Sequence, residues 1–297
     1  MNKRLHGVLA PLTTPFDPIG DVAPVALREN TRALLSAGAN GVVVAGSTGE
    51  ASLLSDDESR KMVGWLREVV PDGKLLILGA GRESTRGTIA ACKYGAEEGA
   101  DAALVRPPSY FARFVSQQGL VDHFRAIADA SPIPVLVYNI PVYTNLPISD
   151  ATLASLTGHP NIVGAKDSSG DLKNFAAYRD AAPDWALFIG SGAAFYAGLE
   201  LGAVGGILAV ANFAVETAVD IAECFARGDK AAAGRAQERL TPLHKEIVGK
   251  LGPAGVKVAM DGVGLVGGPV RAPLDPVGSA DESRIADLLR TAELILA

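Results

Sequence analysis

The sequence predicts a (β/α)8, or TIM, barrel with a C-terminal helical extension, and three observations carry that prediction. Eight short, continuous apolar runs recur along the chain, and longer segments of helical composition separate them. The first run ends in Leu12-Thr13-Thr14-Pro15, which is no glycine-rich phosphate turn. Continuous apolar runs suit parallel strands buried on both faces. Eight β–α units in series argue for closure into a barrel. A doubly wound sheet usually has fewer strands and needs the phosphate turn that is missing here. The chain of 297 residues accommodates one α/β barrel of ~250 residues with an addition at one end. We place the boundary so that residues 1–227 form the barrel and 228–297 the helical region.

The elements follow in order. Strands are expected from near Gly7, Gly41, Lys74, Ala102, Ile133, Ile162, Ala186 and Gly205. Helices are expected over Pro24–Ala37, Ser55–Val69, Ser84–Glu98, Ser116–Ala130, Ser149–Leu156, Asp171–Ala181, Ala193–Leu201 and Val215–Ala226. Ser55-Asp56-Asp57-Glu58 has the form of a capping box, which places a helix start there. Gly38, Gly99 and Gly202, each followed by alanine, are expected to end helices as left-handed caps. Beyond Gly228 the chain reads as mostly helical, with the Gly- and Pro-rich stretch 252–273 expected to form a loop.

Composition excludes several classes. The net charge of −6 leaves no electrostatic footprint for nucleic acid or an anionic membrane surface. Two cysteines, Cys92 and Cys224, build neither a disulfide framework nor a Cys-based zinc site. The apolar run at the N-terminus is cut by Pro11 and Pro15, so it does not read as a signal peptide. The longest apolar stretch, Leu201–Val215, is broken by glycines and Asn212 and falls short of the ~20 residues of a membrane span. The expectation is a soluble cytoplasmic protein with no nucleic-acid or membrane partner.

A barrel of this kind works at the C-terminal ends of its strands. Lys166 is the most informative residue there, because it follows the apolar Ile162-Val163-Gly164-Ala165 and burying an ammonium is costly. A lysine buried in this way supplies a neutral amine for attack on a carbonyl. The bland alternative is a lysine that snorkels or pairs with Asp167. Tyr138 ends the preceding strand, where a phenol can shuttle protons during imine formation; a core tyrosine bonded to backbone is the competing reading. The segment Gly46-Ser47-Thr48-Gly49-Glu50 offers two hydroxyls and backbone N–H groups suited to a small carboxylate, or is an ordinary turn. Glu50 is expected to tie loops together from beneath. The literal GxGxxG at 262–267 lies outside any βαβ unit and is taken as chance. His6, His123, His159 and His244 do not fall at strand ends, so no metal is expected.

At these residues the sequence resembles the dihydrodipicolinate synthase / N-acetylneuraminate lyase family of pyruvate-dependent class I aldolases. The resemblance covers nearly the whole chain and rests on GSTGE at 46–50, YNIP at 138–141, KDSSGD at 166–171 and GAVGGI at 202–207. Within the family the chain looks most like 4-hydroxy-2-oxoglutarate aldolases, through the segments at 82–89, 159–171 and 267–274. The resemblance implies a Schiff base on Lys166 with the keto carbon of a 2-oxo acid, with Tyr138 as proton shuttle. It implies that Ser47 and Thr48 hold the substrate carboxylate and that Gly190 and Ile207 line the site. Thr48 and Tyr110 are expected to join Lys166 and Tyr138 in the catalytic set. It further implies a small-molecule 2-oxo acid substrate, no cofactor and a homotetramer built from tight dimers.

Two departures matter. Synthases of the family carry an arginine after the YNxP segment to grip the second substrate's carboxylate, and here Val142 and Tyr143 stand there. Their Tyr-Tyr pair after strand four, one member of which reaches the neighbouring subunit, is Tyr110-Phe111 here. Both favour cleavage of 4-hydroxy-2-oxoglutarate to pyruvate and glyoxylate. The alternatives are a dihydrodipicolinate synthase, a 2-keto-3-deoxy sugar acid aldolase or dehydratase, and a non-catalytic barrel that binds a keto acid. Arg106 and Arg113 are read as solvated loop charges.

Overall fold

The computed structural model describes residues 5–296. Eight parallel strands form a closed barrel in sequence order: β1 (Gly7–Pro11), β2 (Gly41–Val44), β3 (Leu75–Gly79), β4 (Ala102–Val105), β5 (Val135–Asn139), β6 (Ile162–Asp167), β7 (Ala186–Ile189) and β8 (Gly205–Ile207). The reason for the continuous apolar runs is visible in the core. Leu9, Val43, Ile77, Leu104, Leu136, Phe188 and Ile207 fill the barrel interior. Their neighbours on the same strands, such as Val8, Val42, Leu76, Ala103 and Val135, pack outward against the helices. Both faces of every strand are therefore apolar. Closure between β1 and β8 requires bare backbone, because a Cβ on Gly205 would lie 2.0 Å from the Gly7 carbonyl oxygen.

The helices of the barrel are α1 (Pro24–Ser36), α2 (Asp56–Arg67), α3 (Thr85–Glu97), α4 (Gln117–Ala130), α5 (Pro141–Thr144), α6 (Asp150–Leu156), α7 (Leu172–Ala181), α8 (Phe195–Glu200) and α9 (Val215–Ala226). Of these only the single turn α5 lies outside the sequence expectation. The capping box forms: the Glu58 N–H donates to Ser55 Oγ at 3.1 Å, and the Ser55 N–H donates to Glu58 Oε2 at 2.8 Å. Gly38, Gly99 and Gly202 take positive φ just past their helices, as the C-cap reading requires.

The C-terminal region departs from expectation in one respect. Helix α10 (Lys230–Leu243) runs into a π-helical turn, His244–Gly249, and then into α11 (Lys250–Gly262). The stretch expected to be a loop from 252 is thus helical as far as Gly262. Gly252 alone leaves helical geometry, at φ 58° and ψ −146°, and Pro253 follows it. Proline is tolerated at the start of a helical segment because the N–H it lacks has no partner there, so the pair kinks the helix instead of ending it. Residues 263–278 form the loop, and α12 (Ser279–Thr291) closes the chain. Leu240, Leu243, Ile247, Met260 and Leu289 belong to the same buried cluster as the outer faces of the strands. No helix among the described residues is long and apolar enough to cross a membrane.

Candidate active site

The site begins with two neighbouring strands. In the β5–β6 ladder Tyr138 pairs directly with Lys166, so their side chains leave the barrel side by side rather than across its mouth. Lys166 Nζ donates to Tyr138 Oη at 3.1 Å and lies 4.2 Å from the centre of its ring. Each residue is only 5% exposed. Asp167 is not the lysine's counter-ion. Its carboxylate accepts from Asn139 Nδ2 at 2.8 Å, from the Ser169 N–H at 3.1 Å and from Ser169 Oγ at 2.8 Å. The amine therefore meets a phenol and an aromatic face, the arrangement in which an amine attacks a carbonyl while a hydroxyl relays protons.

The carboxylate loop follows β2. Ser47–Gly49 form a single 3-10 turn, held by the Glu50 N–H donating to the Ser47 carbonyl and by Thr14 Oγ1 donating to the Gly49 carbonyl at 2.7 Å. Glu50 then takes a left-handed conformation, φ 58°, and turns its side chain beneath the barrel mouth. There Glu50 Oε1 lies 2.6 Å from Lys257 Nζ on α11, with both side chains fully buried. Glu50 Oε2 accepts from the Arg271 N–H at 2.8 Å. Lys257 also donates to the Pro269 carbonyl at 2.6 Å. Burial pushes the Lys257 ammonium below its ordinary range, against the opposing pull of Glu50. This is the loop-tying role expected for Glu50, now with its partners.

A cavity of about 350 Å³ collects the pieces. Ser47, Thr48, Tyr138, Lys166, Gly190 and Ile207, six of the seven residues singled out from the sequence, line it together. Gly190 is closely hemmed in: a Cβ there would lie 1.9 Å from Ser168 Oγ and 2.9 Å from the Asp167 carbonyl oxygen. Tyr110 is the exception. It is 83% exposed, stands edge-on to Phe111 and lines no part of this cavity. It sits on a surface loop whose backbone is tied elsewhere: Glu83 accepts from the N–H groups of Ser109 and Tyr110, both at 2.9 Å.

Arg106 also corrects an expectation. It is not a solvated charge: its side chain is 21% exposed, donates to Glu83 at 3.0 Å and to the Pro107 carbonyl at 2.8 Å. It lines a second cavity, which shares Ser47, Tyr143 and Pro253 with the first. Burial raises the Glu83 carboxyl, but the N–H groups of Tyr110 and Ser109, with Ser109 Oγ and Arg106, outweigh it and hold the carboxyl at about 2. Arg113 is exposed as expected, stacked over Phe114.

Sequence reasoning missed one wall entirely. His244, Val248, Gly252, Pro253 and Val256, all from the C-terminal helices, line the Lys166 cavity. His244 was dismissed because it follows no strand; the π turn carries it to the barrel mouth. Its Nδ1 accepts from the Gly192 N–H at 3.2 Å, and its Nε2 stands 3.2 Å from Ser191 Oγ. Burial holds its imidazole down at about 4. A π-helical turn is the signal that often accompanies such a site. Among the described residues, no group of three or more His, Cys, Asp or Glu is placed to hold a metal ion.

A closed barrel with a lysine and a tyrosine buried at its mouth defines a class: an enzyme of the carbon–carbon lyase type, a Schiff-base aldolase. The chain belongs to the dihydrodipicolinate synthetase family, whose model matches residues 4–292. It is 35% identical over 298 residues to the 4-hydroxy-tetrahydrodipicolinate synthase of Phenylobacterium zucineum, covering 99% of this chain and 100% of that one. Identity reaches 37% over 281 residues with the synthase of Methanopyrus kandleri, covering 92% of each. The structure of the chloride-inhibited dihydrodipicolinate synthase of Acinetobacter baumannii complexed with pyruvate superposes with a TM-score of 0.93 at 31% identity. It covers 98% of this chain and all of that one. These relatives carry the synthase name, not that of the 4-hydroxy-2-oxoglutarate aldolases toward which the three sequence segments lean.

Proposed function

We propose that this enzyme makes or breaks the bond between the methyl carbon of pyruvate and an aldehyde, through an imine on Lys166. The 3.1 Å bond between Lys166 Nζ and Tyr138 Oη carries the reading. The amine adds to the keto carbon, water leaves, and the imine withdraws electrons so that a proton is lost from the methyl group. The enamine then attacks the aldehyde carbon, and hydrolysis frees the product; cleavage is the reverse. Ser47 and Thr48 hold the pyruvate carboxylate, Tyr138 moves protons to and from the carbinolamine oxygen, and no metal or organic cofactor takes part.

The names of the relatives support condensation as the leading reading, with aspartate semialdehyde as the aldehyde. Cleavage of 4-hydroxy-2-oxoglutarate is the second reading, favoured by Val142 and Tyr143 standing where the synthases have their arginine. The test is borohydride trapping with pyruvate, read by intact mass and peptide mapping. A reduced adduct on Lys166, absent from Lys166→Ala, is the expected result; a wild-type protein that binds pyruvate without an adduct refutes the mechanism. Turnover of aspartate semialdehyde against 4-hydroxy-2-oxoglutarate then separates the two readings.

A further inference from the structure

Behind the reactive pair lies a second pair that the mechanism does not use. Asn139 and Asp167 are the next partners in the β5–β6 ladder and the last residues of their strands. Successive strand residues point to opposite faces, so these two turn away from the cavity, toward the helices. Both are buried, at 1% and 2% exposure. Asn139 Nδ2 donates to Asp167 Oδ1 at 2.8 Å, and Asn139 Oδ1 accepts from the Ile148 N–H at 3.1 Å. A carboxylate only accepts and an N–H only donates, so the place between them calls for one donor and one acceptor on the same side chain. The amide of Asn139 supplies both. The far ends of the bridge are fixed as well. Ser169 donates twice to Asp167, through its N–H and its hydroxyl, and the Tyr178 hydroxyl donates to the Ile148 carbonyl.

Strand β6 gives the bridge a task. Val135 pairs with Ile162, but Leu136 pairs with Gly164, so β6 carries one residue, Val163, that β5 does not match. Were that bulge removed, Tyr138 would stand beside Ala165, and Lys166 beside Asn139. A slip of one residue moves every side chain to the other face, so the amine and the phenol would then lie on opposite faces of the sheet. Register is weakly specified where side chains are small, and Lys166 follows Gly164 and Ala165. The Asn139–Asp167 bond, by contrast, is made in one register only.

We infer that Asn139 and Asp167 lock the register that sets Lys166 against Tyr138, and are thereby positioning residues for proton transfer at the imine. Loss of the lock loosens the 3.1 Å contact of amine and phenol, whereas Ser47 and Thr48, on the loop after β2, still meet the pyruvate carboxylate. The signature is a lower maximal rate with little change in KM. The inference rests on the Schiff-base reading above and names the residues that hold its geometry.

Exchange of the pyruvate methyl protons for deuterium, followed by proton NMR in D2O, reads imine formation and proton transfer without any aldehyde. Lys166→Ala gives the background. Borohydride trapping and circular dichroism are run on every variant in parallel, and rates are expressed per folded molecule. Asn139→Ala should lower kcat for exchange about ten- to a hundredfold, the scale of a small displacement of reacting groups, and move KM by less than about threefold. Asn139→Asp sets two carboxylates against each other and should lose at least as much. Asp167→Asn keeps an acceptor for the Asn139 amide and should lose far less. The double swap Asn139→Asp/Asp167→Asn restores the bond with its polarity reversed and should recover at least about fivefold of the Asn139→Asp loss. A role in stability alone would leave kcat per folded molecule unmoved. Wild-type kcat in Asn139→Ala, a rise in KM at unchanged kcat, or a swap no faster than Asn139→Asp overturns the inference although the adduct forms. Should either single Asn139 variant fail to fold, the swap decides: kcat within about tenfold of wild type upholds the inference, and a larger loss or a failure to fold overturns it. Wild type that traps pyruvate without exchanging its protons overturns it too. If wild type forms no adduct, the Schiff-base reading falls, and this inference with it.

Discussion

Lys257→Met puts the buried ion pair beneath the carboxylate loop to the test. Lys257 Nζ and Glu50 Oε1 are 2.6 Å apart with no solvent access, so neither charge has water to fall back on. Removing one partner of such a pair costs about 3–5 kcal/mol, because the other is left buried and unpaired. Methionine matches the lysine stem closely, so little of that loss comes from packing. The Pro269 carbonyl also loses its donor, which places the expected loss in the upper half of the range. Glu50→Gln should cost less, about 1–3 kcal/mol: the amide still accepts from the Arg271 N–H, and a lysine already pushed down by burial can shed its proton.

The double variant Lys257→Met/Glu50→Gln removes both charges together. It should be more stable than the sum of the single losses by at least about 2 kcal/mol. The assay is urea unfolding followed by the fluorescence of Trp65 and Trp185, at one fixed protein concentration because association would add to apparent stability. The same variants should raise KM for pyruvate more than they lower kcat, since Glu50 anchors the turn that presents Ser47 and Thr48. A Lys257→Met protein within 1 kcal/mol of wild type, or strict additivity in the cycle, would show that the pair holds neither the fold nor the loop.

Acid sensitivity should come first from two histidines. Burial holds His123 and His244 at about 4, well below an unfolded histidine near 6.5. Between those values the unfolded chain binds protons that the folded chain refuses, so stability falls as pH is lowered. The loss should be about 2 kcal/mol per histidine from pH 7 to 4.5. The carboxyls of Glu58 and Glu83, held at about 2, add their losses only below the ordinary carboxylate range, so His123→Gln should flatten the profile above pH 4.5. Gly205→Ala should abolish soluble folded protein, because its methyl would strike the Gly7 carbonyl at the barrel seam; normal thermal unfolding of that variant would contradict the closure described here. Sedimentation equilibrium should show a homotetramer. Phe111→Asp should dissociate it, since Tyr110, Phe111 and Phe114 form an exposed aromatic surface; an unchanged mass would move the interface elsewhere.

The barrel was legible because its signals are local. Strands apolar on both faces read as unbroken runs, Ser55 and Glu58 announced their helix, and glycines marked helix ends. Lys166 and Tyr138 were legible for a related reason: a charged or phenolic group closing a fully apolar run has few structural explanations. Glu50 was readable as a tie, but its partner was not, since Lys257 lies on a helix whose Gly252-Pro253 pair looked like a loop. Where Tyr110 would stand was not legible, because sequence gives the residue near a strand end but not the direction its loop takes. Glu83 decides that direction, from 26 residues upstream of Ser109.

His244 shows where local reading stops. Along a regular helix successive residues turn by about 100°, so the face presented by α11 would follow from that of α10. The π turn at His244–Gly249 breaks that phase, and Gly252 breaks it again. The π turn has no pattern that composition could reveal, and the Gly252-Pro253 pair marks a break without telling a kink from a loop; Leu240, Leu243 and Ile247 stay buried up to and within the π turn. The consequence is a division of labour set by geometry. The strands place the reactive amine and phenol by register, which sequence can specify within a few residues. The uncharged wall opposite depends on helix phase accumulated over more than twenty residues, and on a histidine whose tautomer is set by one backbone N–H. The amine and the phenol were therefore readable from the strand ends, whereas the wall opposite them depends on the packing of the C-terminal helices.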